Sequence, residues 1–184
     1  MRAIRLIGLY LKRAFRMNKP TLYSFSGLPG SGKSTLAQAL SQVTGFTYLR
    51  IDTIEQGLRD LCHTEVKGEG YRLSYRIATD NLKVGVSVIA DSCNPIELTR
   101  SEWNEAALLS NANIVNIEVI CSDVSEHKRR VKTRANTVAG LSPPKWEDIE
   151  NREYHSWTKE RLVIDTAGKL LSESLKELLS GLGI

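Results

Sequence analysis

The sequence predicts a three-layer α/β/α domain, in which helices cover both faces of a parallel β-sheet. From residue 21 onwards, short β-like runs alternate with amphipathic helical patterns, as in consecutive βαβ units. Residues 86–90 (VSVIA) are apolar throughout, as expected for a strand buried on both faces. A glycine-rich segment, residues 27–35, lies between the first predicted strand and the first predicted helix. A chain of 184 residues with 41% hydrophobic side chains suits one such domain and is too short for two.

The first half of the domain alternates strands and helices. Residues 21–26 (TLYSFS) predict the first strand, and residues 33–43 predict a helix whose apolar face includes Leu40 and Val43. A polar turn with two glycines separates the next two helices. These later elements are a strand at 46–51, helices at 53–61 and 71–82, and the apolar strand at 86–90.

The second half continues the pattern. Asp123 and Glu126 have the spacing of a capping box, which predicts that a helix begins there. Residues 135–147 contain a glycine and two prolines and predict a loop. The remaining elements are a helix at 97–109, a strand at 114–121, the capped helix at 123–134, a strand at 161–165 and a closing helix at 169–179.

The glycine-rich segment fits the pattern G-x-x-x-x-G-K-[ST] and directly opens a helix, which is the context of a phosphate-binding loop. Glycines let backbone N–H groups line a nest for phosphate oxygens, and the helix N-terminus adds its positive dipole end. Lys33 would reach the β- and γ-phosphates, Ser34 would ligate Mg²⁺, and Thr35 is secondary. We therefore expect a bound nucleoside triphosphate, most simply ATP, with Mg²⁺. The nucleotide-binding residues are Gly27, Leu28, Pro29, Gly30, Ser31, Gly32, Lys33, Ser34 and Thr35.

Two aspartates follow predicted strands, where reactive groups gather in an open α/β sheet. Asp52 is assigned to the phosphoryl acceptor, as the group that orients a hydroxyl and takes its proton. Asp91 is assigned to the metal. Swapped or shared roles stay open, and either residue could instead be a helix N-cap.

Phosphoryl transfer also needs cations around the moving group. Arg130 and Arg134 lie four apart on the basic helix at 123–134, before a Gly/Pro loop, which predicts a small helical lid. The alternative is a solvated basic helix face. We expect these arginines, with Lys33 and Asp52, to be catalytic.

Further candidates flank the place where an acceptor would lie. Arg59, Tyr71, Asn94 and Arg100 are candidate substrate-binding residues, with core or surface roles as the alternative for each. Thr166 lies in the turn after the last strand and is a candidate contact to the nucleoside.

Charge is concentrated at the start of the chain. The first nineteen residues hold six basic side chains and no acidic one, whereas the other 165 hold 19 basic and 21 acidic side chains. Residues 1–19 predict a basic amphipathic arm, for which membrane-surface contact is one interpretation beside a packed helix or a targeting segment. The slightly acidic body, residues 20–184, argues against a nucleic-acid partner. Three cysteines without metal-binding spacing predict reduced thiols and a cytoplasmic protein.

The motifs together resemble the small P-loop kinases, the group that includes shikimate and gluconate kinases, adenylylsulfate kinase, chloramphenicol phosphotransferase and polynucleotide kinase. The segments that carry the resemblance are GLPGSGKST, Asp52, VIADSCNP, the Arg130–Arg134 pair, PPKWEDI and VIDTAG. The resemblance implies a five-stranded parallel sheet in the order 2-3-1-4-5, with Asp52 at the acceptor hydroxyl and the two arginines on the transferred phosphoryl. The next arginine after Asp52 is Arg59, seven residues on, which departs from the usual spacing and leaves the acceptor open.

The leading hypothesis is an Mg²⁺-dependent kinase that moves the γ-phosphate of ATP to a hydroxyl of a small molecule. Two alternatives stay open. One is a polynucleotide 5′-hydroxyl kinase, and the other is a P-loop ATPase or nucleotide-dependent switch without kinase activity.

Overall fold

Five parallel strands form the central sheet, in the order β2-β3-β1-β4-β5. The computed structural model describes residues 19–184, so the predicted arm lies outside the described residues except for Lys19. The strands are β1 (Thr21–Ser26), β2 (Thr47–Arg50), β3 (Val88–Asp91), β4 (Asn113–Ile120) and β5 (Leu162–Asp165). The predicted sheet order and parallel arrangement are confirmed.

Seven helices lie in the described part of the chain. They are α1 (Lys33–Thr44), α2 (Ile51–Cys62), α3 (Glu69–Lys83), α4 (Glu97–Leu109), α5 (Val124–Thr133), α6 (Trp146–Glu150) and α7 (Leu171–Leu182). The short helix α6 was not predicted. It forms because Trp146 and Ile149, three residues apart, bury one face against Val131 of α5.

The sheet is buried on both faces, as its apolar strands predict. Successive side chains of β1 point to opposite sides, so Leu22 and Tyr23 belong to different core clusters. The cluster around Leu22 packs against α3 and α4 and includes Trp103. The cluster around Tyr23 packs against α1 and α7. Helices on both faces thus support the sheet, and the carboxyl ends of β1, β2 and β3 lie side by side at one edge. The candidate site lies at this edge.

Two predicted boundaries and one predicted helix face differ from the structure. Strand β2 ends at Arg50, and Asp52 lies in the first turn of α2. There the positive end of the helix dipole stabilises its negative charge. Helix α5 ends at Thr133, one residue earlier than predicted, and Arg134 is its C-cap, whose N–H still donates to the Arg130 carbonyl, so the chain leaves the helix directly after Arg134. On α1, Val43 was predicted on the buried face but is 58% exposed, whereas Ala37 is buried in the core.

Candidate active site

The phosphate loop joins β1 to α1 and is fixed from both sides. Gly27 has a φ of 139°, and a Cβ there would collide with the carbonyl oxygen of Val119 in β4, so this position needs glycine. The Gly27 N–H donates to the carbonyl of Cys93, two residues after the end of β3. The Ser31 hydroxyl is buried with no hydrogen-bond partner among the described residues. These features fit a preformed anion nest.

Free backbone donors also gather at the start of α1. Within the described residues, the amides of Gly30, Gly32, Lys33, Ser34 and Thr35 make no hydrogen bond. The first N–H groups of a helix have no intrahelical partner and point outward along the axis. A triphosphate placed at this turn would satisfy them, so the cradle fits the nucleotide that the motif predicts.

Lys33 and Asp91 form a buried ion pair at the mouth of the loop. The Lys33 Nζ lies 2.7 Å from Asp91 Oδ1, with the two side chains 11% and 1% exposed. The Tyr48 hydroxyl donates to the other carboxylate oxygen at 2.7 Å. Burial opposes both charges, but the attraction between them outweighs it, so the pKa of Lys33 lies above and the pKa of Asp91 below its ordinary value. Both groups are therefore charged at neutral pH.

The side-chain oxygens next to Lys33 are suitable ligands for a hard cation such as Mg²⁺. The Lys33 ammonium lies 3.4 Å from Ser34 Oγ and 2.7 Å from Asp91 Oδ1, so both oxygens are within reach of one positive charge. Hydroxyl and carboxylate oxygens are the ligands that Mg²⁺ prefers. Within the described residues, no group of three or more acidic, His or Cys side chains is arranged to hold a metal alone. An Mg²⁺ site here would need phosphate or water oxygens to complete its coordination.

Asp52 lies on the open side of the same edge. Its side chain is 50% exposed, and Arg50 NH2 lies 3.8 Å from Asp52 Oδ2. The Arg50 Nε lies 3.9 Å from Asp91 Oδ2, so one guanidinium stands between the two candidate carboxylates. Arg50 NH1 also donates to the Thr137 hydroxyl, in the loop after α5, at 2.9 Å. Asp52 is thus held near the site while its carboxylate stays accessible.

The two lid arginines occupy different surroundings. Arg130 donates to the Thr166 hydroxyl (2.7 Å) and carbonyl (2.9 Å), and pairs with Glu126 at 2.8 Å. The Thr166 hydroxyl in turn donates to the carbonyl of Ser31 in the phosphate loop at 2.7 Å. This network places Arg130 and Thr166 beside the loop, on the side of the turn that follows β5.

Arg134 lies towards the candidate carboxylates. Burial lowers the pKa of Arg134; Asp52 opposes this shift and Arg50 adds to it. The charges of Asp52 and Arg50 therefore both act on the Arg134 guanidinium.

Two candidate substrate residues have structural roles instead. Arg100 is 1% exposed, stacks on Trp157 at 4.1 Å, and donates to the carbonyls of Asn94, Pro95 and Ser156. Asn94 is fully buried, with its amide on the Phe25 carbonyl and its oxygen accepting from Trp103 Nε1. Neither side chain is available to an acceptor, because each satisfies buried groups of the fold.

The other two candidates, Tyr71 and Arg59, are partly exposed, unlike Arg100 and Asn94. The Tyr71 hydroxyl accepts from the Asn94 N–H at 3.2 Å, and burial raises the pKa of Tyr71. Arg59 pairs with Glu55 one helical turn earlier at 3.3 Å. Burial raises the pKa of Glu55 against the opposing effect of Arg59. Arg59 is thus partly committed within α2.

Several site residues were missed by the sequence analysis. Arg50 and Tyr48 lie on β2, and Arg152 points its guanidinium at the sulfur of Cys93 at 3.6 Å. Arg50 could have been found, because it ends a strand two residues before Asp52. Nothing local identifies Arg152, which reaches Cys93 from 59 residues away.

A phosphate loop, a lysine paired with a strand-end carboxylate, and a helix packed over the loop define a nucleotide-binding domain of the P-loop kinase class. The chain belongs to the AAA domain family, which matches residues 22–146. Adenylyl-sulfate kinase relatives and kinase structures with the same fold confirm the resemblance to the small P-loop kinases drawn from the sequence.

Similar proteins were found by sequence and by structure. Adenylyl-sulfate kinase from Prochlorococcus marinus is 32% identical over 185 residues, covering 91% of this chain and 85% of the relative. A stretch of 123 residues is 31% identical to part of midasin from Giardia intestinalis. The match covers 66% of this chain but 2% of midasin.

Two solved structures share the fold. A gluconokinase from Sinorhizobium meliloti 1021 superposes with a TM-score of 0.65 at 16% identity, covering 90% of this chain and 93% of the other. The Mycobacterium tuberculosis APS kinase CysC, in complex with AMPPNP and APS, gives a TM-score of 0.65 at 17% identity, covering 90% and 99%.

Two further observations concern the cysteines and the helices. Cys62, Cys93 and Cys121 are all free thiols. Among the helices of residues 19–184, none has the length and apolar character needed to cross a bilayer.

Proposed function

We propose that this chain is an Mg²⁺-dependent kinase that transfers the γ-phosphate of ATP to a hydroxyl of a small-molecule acceptor. One observation carries the proposal. Beside the phosphate-loop lysine, the Asp91 carboxylate is buried and paired. The Asp52 carboxylate is half exposed, and its one ion pair within residues 19–184 is with Arg50. An accessible carboxylate at this place can orient an attacking hydroxyl and take its proton, and the adenylyl-sulfate kinase relative favours a small-molecule hydroxyl over water as the acceptor.

The chain's own residues divide the work. Lys33 leaves Asp91 for the phosphate oxygens when the triphosphate enters, and the loop amides hold the rest of that tail. Ser34 and the released Asp91 would hold Mg²⁺, which when bound neutralises charge on the phosphate oxygens. Asp52 orients the acceptor hydroxyl and takes its proton. Arg134, with Arg50 next to it, stabilises the charge on the transferred group.

Arg130 and Thr166 hold the nucleoside side of the site. Their contacts with Glu126 and with the Ser31 carbonyl fix the turn after β5 against the phosphate loop. The adenylyl-sulfate kinase relative favours a small acceptor over a polynucleotide, and so does the slightly acidic body of the chain. Arg59 and Tyr71 stay as candidate acceptor contacts.

The test is a screen of pooled metabolites with γ-labelled ATP, Mg²⁺ and the full chain. We expect label on one class of hydroxyl compound. Asp52→Asn should bind MgATP as tightly as the wild type and transfer at least about 100-fold more slowly, which is the scale of a positioned base.

Asp80→Asn is the matched control, because Asp80 is exposed near the end of α3 that leads into β3, at the opposite edge of the sheet. It should leave transfer unchanged. Label released only as inorganic phosphate would show an ATPase and refute the proposal. Full transfer by Asp52→Asn would refute the role of that residue.

A further inference from the structure

The outer side of the phosphate loop rests on α5. His127 is 7% exposed, and its Nε2 lies 2.8 Å from the carbonyl oxygen of Pro29, within the loop. A carbonyl oxygen only accepts hydrogen bonds, so Nε2 carries a proton and donates it. None of the nucleotide-binding motif's own residues supplies this contact.

The contact with Pro29 also fixes the next backbone amide. The Pro29 carbonyl and the Gly30 N–H belong to one peptide unit, and the described chain contains no cis peptide bond. In a trans peptide unit the C=O and N–H point in opposite directions. While His127 holds the carbonyl towards α5, the Gly30 N–H must point away from α5. That N–H has no partner within the described residues, so it is free for a phosphate oxygen.

Neighbouring packing prevents the histidine from swinging away. Its ring meets the Trp146 ring edge to face, with centroids 5.3 Å apart and an interplanar angle of 86°. Val131 and Leu28 join Trp146 in one apolar cluster. A Cβ on Gly30 would lie 2.5 Å from Val131 Cγ2, so the loop and the helix are in close contact.

We infer that His127 is a positioning residue that aims the Gly30 amide into the anion cradle, and that the His127–Val131 part of α5 belongs to the fixed frame of the loop. Any lid movement is then confined to residues 134–145, between α5 and α6, where Arg134 lies. The inference rests on the proposed function, because it concerns the triphosphate site of that function. His127 does not touch the nucleotide and acts through the loop.

The test compares His127→Phe with His127→Gln. Phenylalanine keeps a ring against Trp146 but has no donor. The glutamine amide nitrogen is the same number of bonds from Cβ as His Nε2, so it can restore the donor. Lys132→Ala, on the exposed side of α5, is the control. Calorimetry of the full chain measures binding of MgATP and of inorganic tripolyphosphate, and thermal unfolding measures stability.

We expect His127→Phe to bind both probes about tenfold more weakly. The reason is that the Gly30 N–H is no longer oriented for its hydrogen bond to a charged phosphate oxygen. His127→Gln and Lys132→Ala should bind within about twofold of the wild type, given the modest cost of changes that keep a bond or lie on the surface. Equal binding by His127→Phe and wild type would overturn the inference. Equal weakening of the Phe and Gln variants would also overturn it, because the donor would then be irrelevant.

If His127→Phe fails to fold, His127→Asn replaces it. Its amide is one bond too short to reach Pro29, so it must bind more weakly than His127→Gln, and equal affinity would overturn the inference. Wild-type binding without any transfer activity would refute the proposed kinase and leave the His127 inference standing. Absence of binding of either probe by the wild type would overturn both.

Discussion

The Lys33–Asp91 pair should make a large and pH-dependent contribution to stability before any nucleotide binds. Asp91→Asn keeps the shape of the side chain and one oxygen for Tyr48 but removes the negative charge. Lys33 then stays charged in a site where its side chain is only 11% exposed, and Arg50 also loses a neighbouring carboxylate. The variant therefore leaves buried positive charge without compensation.

The magnitude follows from the burial of both partners. Breaking a buried pair by removing one charge costs about 3–5 kcal/mol, and because Asn keeps a hydrogen-bonding oxygen we expect about 3 kcal/mol. For a domain of this size, that loss corresponds to a fall in Tm of about 6–12 °C. Replacing both partners, as in Lys33→Met with Asp91→Asn, removes the orphaned charge, so the double variant should be more stable than Asp91→Asn alone.

The dependence on pH has a definite sign. Because the pKa of Asp91 is lowered from 3.8, its contribution is present above that pH and disappears as the pH falls through the folded-state pKa. Because the pKa of Lys33 is raised from 10.5, its contribution is present below that pH and disappears as the pH rises through the folded-state value. The contribution of the ion pair to the stability of the wild type should thus be constant from about pH 5 to about pH 9.

Urea unfolding of the wild type, both single variants and the double variant measures these quantities. A loss below about 1 kcal/mol for Asp91→Asn, the level of an exposed ion pair, would refute the reasoning. So would strictly additive losses in the double variant, since additivity means that the two side chains do not interact.

Two further predictions concern the frame of the site. Gly30→Ala combines a positive φ of 86° with a collision against Val131, whereas Gly45→Ala has a φ of 73° and nothing within 4 Å. Backbone strain should lower the free energy of unfolding of both variants by about 1 kcal/mol. Only Gly30→Ala should lose further stability in urea unfolding and bind MgATP more weakly in calorimetry. Equal behaviour of the two variants would contradict the packing argument. Arg100→Met should lose about 3 kcal/mol in urea unfolding while MgATP affinity is retained, because it leaves buried carbonyls unpaired. Arg72→Met, an exposed control, should change neither quantity, and a stable Arg100→Met variant with a raised acceptor KM would restore Arg100 to the substrate site.

Local patterns predicted the elements that local chemistry specifies. The bounds of β1 and α4 match the sequence prediction, because each begins and ends where the apolar pattern changes. The Asp123 side chain accepts from the Glu126 N–H, as its spacing predicts, although the helix then ends one residue early. Strand β2 was predicted too long, because Ile51 is equally suited to a buried strand end and to the first turn of α2, where it is 2% exposed.

The phosphate loop, the parallel sheet and the P-loop kinase class were determined by the sequence alone, because a contiguous motif between a strand and a helix specifies them. Only the tertiary structure decided which charged side chains face the site. Nothing in the local sequence distinguishes Arg100 from Arg50. Aromatic and carbonyl groups more than fifty residues away bury Arg100. The edge of the sheet places Arg50 between Asp52 and Asp91. His127 reaches Pro29 across 98 residues, and a contact of that range depends on how α5 packs against the loop, which no local pattern encodes.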